Sequence, residues 1–171
     1  MKKFILCLII IFQAGLIAFA DDLIYKYPAN ILDVEFPQYS TVSCKFNQTK
    51  TIPGSGAFVN SGGDFTFDIK NGAVFETLYP FKSTTAYTSD KRISDIILAV
   101  SKKDYSYINK NFDVFYLKNN QNWQLALKPK NDSKIKTVME SIVIYGNKYI
   151  EKLEINTVKS GSTKINFTEC K

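Results

Sequence analysis

Residues 46–80 read FNQTKTIPGSGAFVNSGGDFTFDIKNGAVFETLYP. Two strand-like runs, Asp64 to Ile69 and Ala73 to Tyr79, meet at Lys70-Asn71-Gly72. Asn-Gly between alternating apolar residues is a strong hairpin signal, because both residues tolerate the positive φ of a tight turn. Side chains alternate across a strand, so Phe65, Phe67 and Ile69 share one face, while Thr66 and Asp68 take the other. Across the turn, Phe75 and Tyr79 share a face with Thr77 between them. The hairpin thus predicts a sheet with one face rich in aromatic rings, a pattern suited to holding lipid.

Upstream, Ser40 to Ile52 reads as a long strand and Pro53-Gly54-Ser55-Gly56 as a loop. Ala57 to Asn60 resumes the strand, and Ser61-Gly62-Gly63 invites a bulge. Before them, Pro28 and Pro37 make Leu23 to Tyr39 extended, with at most one helical turn around Asn30 to Val34. Downstream, Phe81 to Thr88 is a further strand, and then the period changes. Ile93, Ile96, Ile97 and Val100 recur at helical spacing, with Ser89 or Asp90 as cap. A second short helix follows from Asp104, with Tyr105, Ile108 and Phe112 on one side. A third is expected over Lys130 to Glu140, burying Ile135, Val138 and Met139. Strands fill the rest: Asp113 to Leu117, Trp123 to Lys128, Ser141 to Tyr145, Lys148 to Val158 and Thr163 to Cys170. These elements predict a mainly β (α+β) fold, an antiparallel sheet with three short helices over one face.

Residues 1–20 have the form of a signal peptide. Met1-Lys2-Lys3 is basic, Phe4 to Ile17 is almost wholly apolar, and Ala18-Phe19-Ala20 is a small-x-small cleavage site. The apolar run is too short for a membrane span. Cys7 precedes most of that run, so no lipid anchor is expected. Residues 21–171 then form a single domain, long enough to stand without metal or disulfide.

Losing Lys2 and Lys3 takes the formal charge of +6 down by two. Arg92 is the sole arginine and the lysines are scattered, which suits a solvated surface and argues against a nucleic-acid groove. A monomer is expected.

The chain has no histidine. That removes Ser-His and Cys-His nucleophilic catalysis, imidazole acid–base chemistry and histidine-ligated zinc. Asp64 with Asp68, and Glu151 with Glu154, are the carboxylate pairs that remain. The first pair lies on the polar strand face, and the second points to opposite faces, so both read as solvated surface acids. No phosphate cradle, cofactor site or metal site is apparent, and no enzymatic activity is expected.

Cys44 and Cys170 are an even pair in an oxidising compartment and suggest a disulfide. Strand parity opposes it: Cys44 shares the apolar face with Val42 and Phe46, whereas Cys170 falls with the polar Asn166 and Thr168. A twist at the chain end would reconcile them. For the aromatic faces, ordinary core packing and a ligand cavity are both open readings. Three short helices are few to cover so many strands, and monomers rarely leave large apolar patches unused.

Several motifs occur in a familiar order: Phe46-Asn47-Gln48, Ser61-Gly62-Gly63-Asp64-Phe65-Thr66-Phe67, and Gly72-Ala73-Val74-Phe75-Glu76 followed by Pro80. Asn122-Trp123-Gln124-Leu125-Ala126-Leu127-Lys128-Pro129 and Gly161 to Phe167 complete the series. Over roughly Val42 to Glu169 the chain resembles the periplasmic outer-membrane lipoprotein carrier (LolA) family, more closely its LolA-related branch. Phe75 stands where that family usually has tryptophan, Lys70 where it has arginine, and a Pro-containing segment replaces the N-terminal helix.

The resemblance implies an open antiparallel half-barrel with helices across its mouth, and a Gram-negative periplasmic protein without catalysis. It carries a lipoprotein's acyl chains, or another lipid, from an inner-membrane ATP-driven release complex to an outer-membrane acceptor. The cavity floor it implies is Phe65, Phe67, Ile69, Phe75, Tyr79, Trp123, Leu125, Leu127, Leu153, Ile155, Ile165 and Phe167. The lid it implies is Ile93, Ile96, Ile97 and Val100. The competing expectation is a cell-envelope interaction or scaffold protein with a packed core.

Overall fold

The computed structural model describes residues 23–35, 40–68, 70, 72–86, 99 and 104–171. The expected signal peptide, floor residue Ile69 and lid residues Ile93, Ile96, Ile97 and Val100 lie outside them. Nine strands form one sheet: β1 (Thr41–Thr51), β2 (Phe58–Asp68), β3 (Gly72–Tyr79), β4 (Ser83–Ala86), β5 (Phe112–Asn119), β6 (Asn122–Pro129), β7 (Met139–Gly146), β8 (Ile150–Thr157) and β9 (Gly161–Thr168). Their order is β4-β3-β2-β1-β9-β8-β7-β6-β5, with every pairing antiparallel. The sheet is open, with β4 and β5 at its edges.

Among the described residues, helix falls short of expectation over Lys130 to Glu140. The described residues hold one α-helix, α1 (Tyr105–Asn111), and three 3-10 turns at Ile24–Lys26, Ile31–Asp33 and Lys134–Thr137. Ala99, the described residue of the first expected helix, has helical backbone. Asp104 caps α1 by accepting from the Tyr107 amide at 3.0 Å. The third expected helix is corrected to a single 3-10 turn. Ser133 caps it by accepting from the Ile135 amide, and the Val138 amide closes it onto the Ile135 carbonyl. Met139 then pairs with Thr157 on β8. Thr137 and Val138 are β-branched, and a ladder partner overrides a short helical pattern.

One face of the sheet, here the inner face, carries the main core. Phe46, Phe65, Phe75 and Phe167 lie on β1, β2, β3 and β9. Ile155, Ile142, Leu127 and Val114 stand opposite one another in a second row on β8, β7, β6 and β5. The opposite, outer face carries the charged alternates, but part of it is also dry. Ile24 packs there on Ala126 and Val143, forming a small second core. The N-terminal segment then rounds the β5 edge. The Tyr116 amide donates to the Tyr27 carbonyl and the Ala29 amide to the Val114 carbonyl, and Ile31 and Val34 enter the inner core. This strap satisfies an edge that would otherwise offer unpaired backbone groups.

Two irregularities re-aim side chains. Between Gly62/Tyr79 and Gly63/Thr77, Leu78 is an extra residue on β3. Gly63 is required there, because an added Cβ would collide with the Glu76 carbonyl oxygen. The second lies past β9, where Thr168 stands opposite Lys45 while Lys171 exchanges backbone hydrogen bonds with Ser43 at 3.0 Å. Three steps on one strand match two on the other. Glu169, at φ +54°, absorbs the surplus residue. Cys170 thereby switches face, and it is bonded to the buried Cys44. The parity objection to this disulfide fails for that reason.

The bridge spans 126 residues of sequence. Replacing both cysteines by serine is expected to lower stability by about 4–5 kcal/mol in the chain-entropy model, read as a shift in the urea midpoint that excess reductant reproduces in the parent protein.

Candidate ligand-binding face

The inner face is built from alternate residues of successive strands, so its chemistry follows from register. Phe65 lies directly opposite Phe75, their ring centroids 4.7 Å apart. Phe167 meets Phe65 at 4.9 Å and Phe46 meets Phe75 edge-on at 5.0 Å. These four rings from four adjacent strands form one continuous aromatic cluster. Edge-on and tilted contacts place ring edges against ring faces, the favourable arrangement of aromatic quadrupoles. Towards β5 the surface becomes aliphatic, through Ile165, Leu153, Ile155, Leu125 and Leu127. Trp123 closes the far corner, buried, with its indole N–H donating to the Asn147 carbonyl at 2.8 Å.

Ten of the twelve residues expected to form the floor are thus buried together in one cluster: Phe65, Phe67, Phe75, Trp123, Leu125, Leu127, Leu153, Ile155, Ile165 and Phe167. Ile69 lies outside the described residues. Tyr79 is a correction. The bulge at Leu78 inverts the parity of β3, so Tyr79 lies on the outer face and is 45% exposed. Its ring crosses over Gly62, where an added Cβ would strike it, and its hydroxyl donates to Asn47 Oδ1 at 2.5 Å. Sequence reasoning placed Phe46 on the apolar face of its strand but left it out of the floor, and missed Ile142 and Ile144, although their strand parity indicates them. It also missed Ile31 and Val34, which no periodic pattern marks.

The cover, among the described residues, comes from short segments. Ile31 stands on a 3-10 turn, Ile108 on α1, Ile135 on another 3-10 turn, and Ala99 is buried with them. Leu125 and Leu127 are 0% exposed and the aromatic floor at most 8%. In this state the floor is closed by the protein's own side chains.

The buried polar side chains among the described residues are Ser141 and Glu154, and both belong to the outer face. The reading of Glu154 as a solvated acid is therefore corrected. Its Oε1 lies 3.1 Å from both Lys152 and Lys164, and the Tyr145 hydroxyl donates to Oε2 at 3.2 Å. Lysines on both sides make burial of the carboxylate tolerable. Asp64 is paired with Lys45 at 2.5 Å on the outer face, and that carboxylate holds the Lys45 ammonium above its usual range.

An open cleft of about 490 Å³ lies beside Trp123, lined by Glu35, Lys118, Asn120, Gln121, Asn147 and Lys148. Lys118 reaches Glu35 at 2.6 Å and the Tyr116 hydroxyl donates to the Glu35 carbonyl at 2.7 Å, tying the N-terminal strap to β5. The hydrogen bond and charge of Lys118 lower the Glu35 carboxyl below its usual 4.5.

Among the described residues, the buried side chains of the inner face are apolar. What the face offers is apolar area. No protein-family model matches the chain, and no curated protein matches its sequence.

Phe75→Ala, at the hub of the aromatic cluster, is expected to cost about 3–5 kcal/mol in denaturant unfolding. Lys118→Ala is expected to return the Glu35 carboxyl upward in an NMR titration. A carboxyl depressed in the folded state stabilises above its unfolded pKa and loses that contribution as pH falls through the lowered value. The parent's strap contact is therefore expected to weaken in acid, as Glu35 is protonated, and again in strong alkali, where Lys118, held above its usual range by the same pair, loses its proton.

Proposed function

We propose that this chain is a periplasmic carrier that shields the acyl chains of a lipoprotein or another lipid. The observation that carries this reading is the inner face: an unbroken apolar surface across the sheet, roofed by short segments outside the ladder. The sheet is read as a half-barrel, with the strap, α1 and the 3-10 turns as parts of its lid. The motif series that resembles the LolA family supports the same reading, and that family implies the inner-membrane donor and outer-membrane acceptor.

Mechanism follows from the described floor. Its buried side chains are apolar, so a guest is held there by contact area, at about 0.8 kcal/mol per buried CH₂. Such binding is spread over many weak contacts and is insensitive to headgroup, which suits a cargo that must be released again. Lifting Ile31, Ile108 or Ile135 breaks few backbone ladder bonds, so opening is local and the sheet persists.

The closed floor favours a second reading, an envelope scaffold whose core is simply packed. The two differ in uptake. Residues 21–171, delipidated, are expected to bind a fluorescent fatty-acid probe saturably and to release it to palmitate. Native mass spectrometry of protein taken from periplasm is expected to show a lipid adduct. Ile97→Asp, in the expected lid, is predicted to abolish probe binding with the circular-dichroism spectrum unchanged. A delipidated chain that takes up no probe, and carries no adduct before delipidation, establishes the scaffold reading.

A further inference from the structure

Three neighbouring turns gather at one end of the sheet: residues 52–57 between β1 and β2, the Pro80–Lys82 turn between β3 and β4, and 158–160 between β8 and β9. Register places them side by side, since Phe58 pairs with Thr51, Tyr79 with Gly62, and Thr157 with Gly161. The Thr51 and Ser162 hydroxyls are bonded at 3.1 Å, holding the β1 and β9 ends together. Strand ends usually finish in polar turns. Here they expose Ile52, Phe58, Val59, Leu78, Phe81 and Val158. Phe81 is 82% exposed and Phe58 64%, and no described core cluster includes either.

Charge around these three turns has one sign, while the next connection at the same end, residues 130–138, carries Lys130, Lys134 and Lys136 with Asp132. Segments 46–63, 77–86 and 155–168 contain Lys50, Lys82, Lys159 and Lys164 and no carboxylate. Lys164 is committed to Glu154, whereas Lys50, Lys82 and Lys159 are exposed and enter no ion pair among the described residues. The opposite end is mixed, with Glu35 against Lys118 and Glu151 accepting from Asn147. Protruding rings on turns that carry lysines and no acid match the boundary of an anionic bilayer. Aromatic and aliphatic side chains enter the acyl boundary there, and lysines meet lipid phosphates.

We infer that this end of the sheet, with Phe58 and Phe81 at its tip and Lys50, Lys82 and Lys159 around them, docks on the surface of a membrane containing anionic phospholipid. The inference does not depend on the carrier reading, because a packed-core scaffold would present the same end.

The test is flotation of residues 21–171 with phosphatidylethanolamine vesicles, with and without one quarter phosphatidylglycerol. Binding is expected only with phosphatidylglycerol, and salt weakens it. Phe58→Ser with Phe81→Ser is expected to reduce binding about tenfold or more. Neutralising Lys50, Lys82 and Lys159 to glutamine is expected to weaken it roughly fivefold for each residue. Leu32→Ser, an exposed position on the N-terminal strap, leaves it unchanged. The fatty-acid probe affinity of the double serine variant stays at the parent value, which separates docking from cargo binding. Vesicle binding that is absent, or indifferent to both variant sets, overturns the proposal. So does a parent chain that elutes as a dimer without vesicles and becomes monomeric in the double serine variant, because the patch is then an interface between copies.

Discussion

A sheet of nine strands with one apolar face cannot rest in water until that face is roofed. Alternation along each strand sends every second side chain inward, so β1, β2, β3 and β9 contribute a cluster of phenylalanine rings, and β5 to β8 contribute mainly branched aliphatics beside Phe112 and Trp123, to a single surface. Burial of that surface is the main stabilising term, and each strand is useful only in the register that keeps its apolar residues inward. The roof differs in kind from the floor. Cross-strand bonds fix the floor on both sides of each inner strand, whereas Ile31, Ile108 and Ile135 stand on short turns or a seven-residue helix.

Both bulges serve this division. At Leu78 one surplus residue turns Tyr79 out of the core and onto Asn47, beside the apolar end of the sheet. At Glu169 one surplus residue turns Cys170 inward to Cys44, joining the last residues of the chain to β1, the neighbour of the central strand. Without the second, the terminal segment would present Cys170 to water. The same device, a single added residue, thus removes one side chain from the core and supplies another.

How far the sequence reveals this structure follows from where the information is local. The aromatic hairpin, its neighbours and the inward set Phe65, Phe67, Phe75, Leu125 and Leu127 are legible because alternation is a two-residue pattern. Tyr79 was misplaced because counting by twos fails across a bulge, and Gly62-Gly63 announces a bulge without saying which strand carries it. The third helix failed because Lys134–Thr137 has helical spacing but Met139 finds a partner on β8. Ile24, Ile31 and Val34 were invisible, since a strap that rounds an edge touches both faces and keeps no period. Glu154 looked like a surface acid because Lys152 and Lys164 reach it from its own strand and from β9.

A closed floor and an uptake function are compatible only if the roof and the guest are exchangeable. Ile31, Ile108 and Ile135 are aliphatic, as an acyl chain is, so a guest that displaces Ile108 or Ile135 replaces one set of dispersion contacts with another. The net gain is then the area the guest buries of its own hydrocarbon, less the roof area it exposes. That difference is smaller than the transfer of a free chain from water would give. A carrier whose empty state is self-filled binds its cargo less tightly than an open greasy trough would, and on release it recloses rather than wetting. Self-filling also keeps ten large inward side chains from acting as an aggregation surface between cargoes, while the small apolar end around Phe58 and Phe81 stays permanently exposed. On the proposed carrier reading the two surfaces divide the work by accessibility: the floor opens for a guest, and the end around Phe58 and Phe81 is presented throughout.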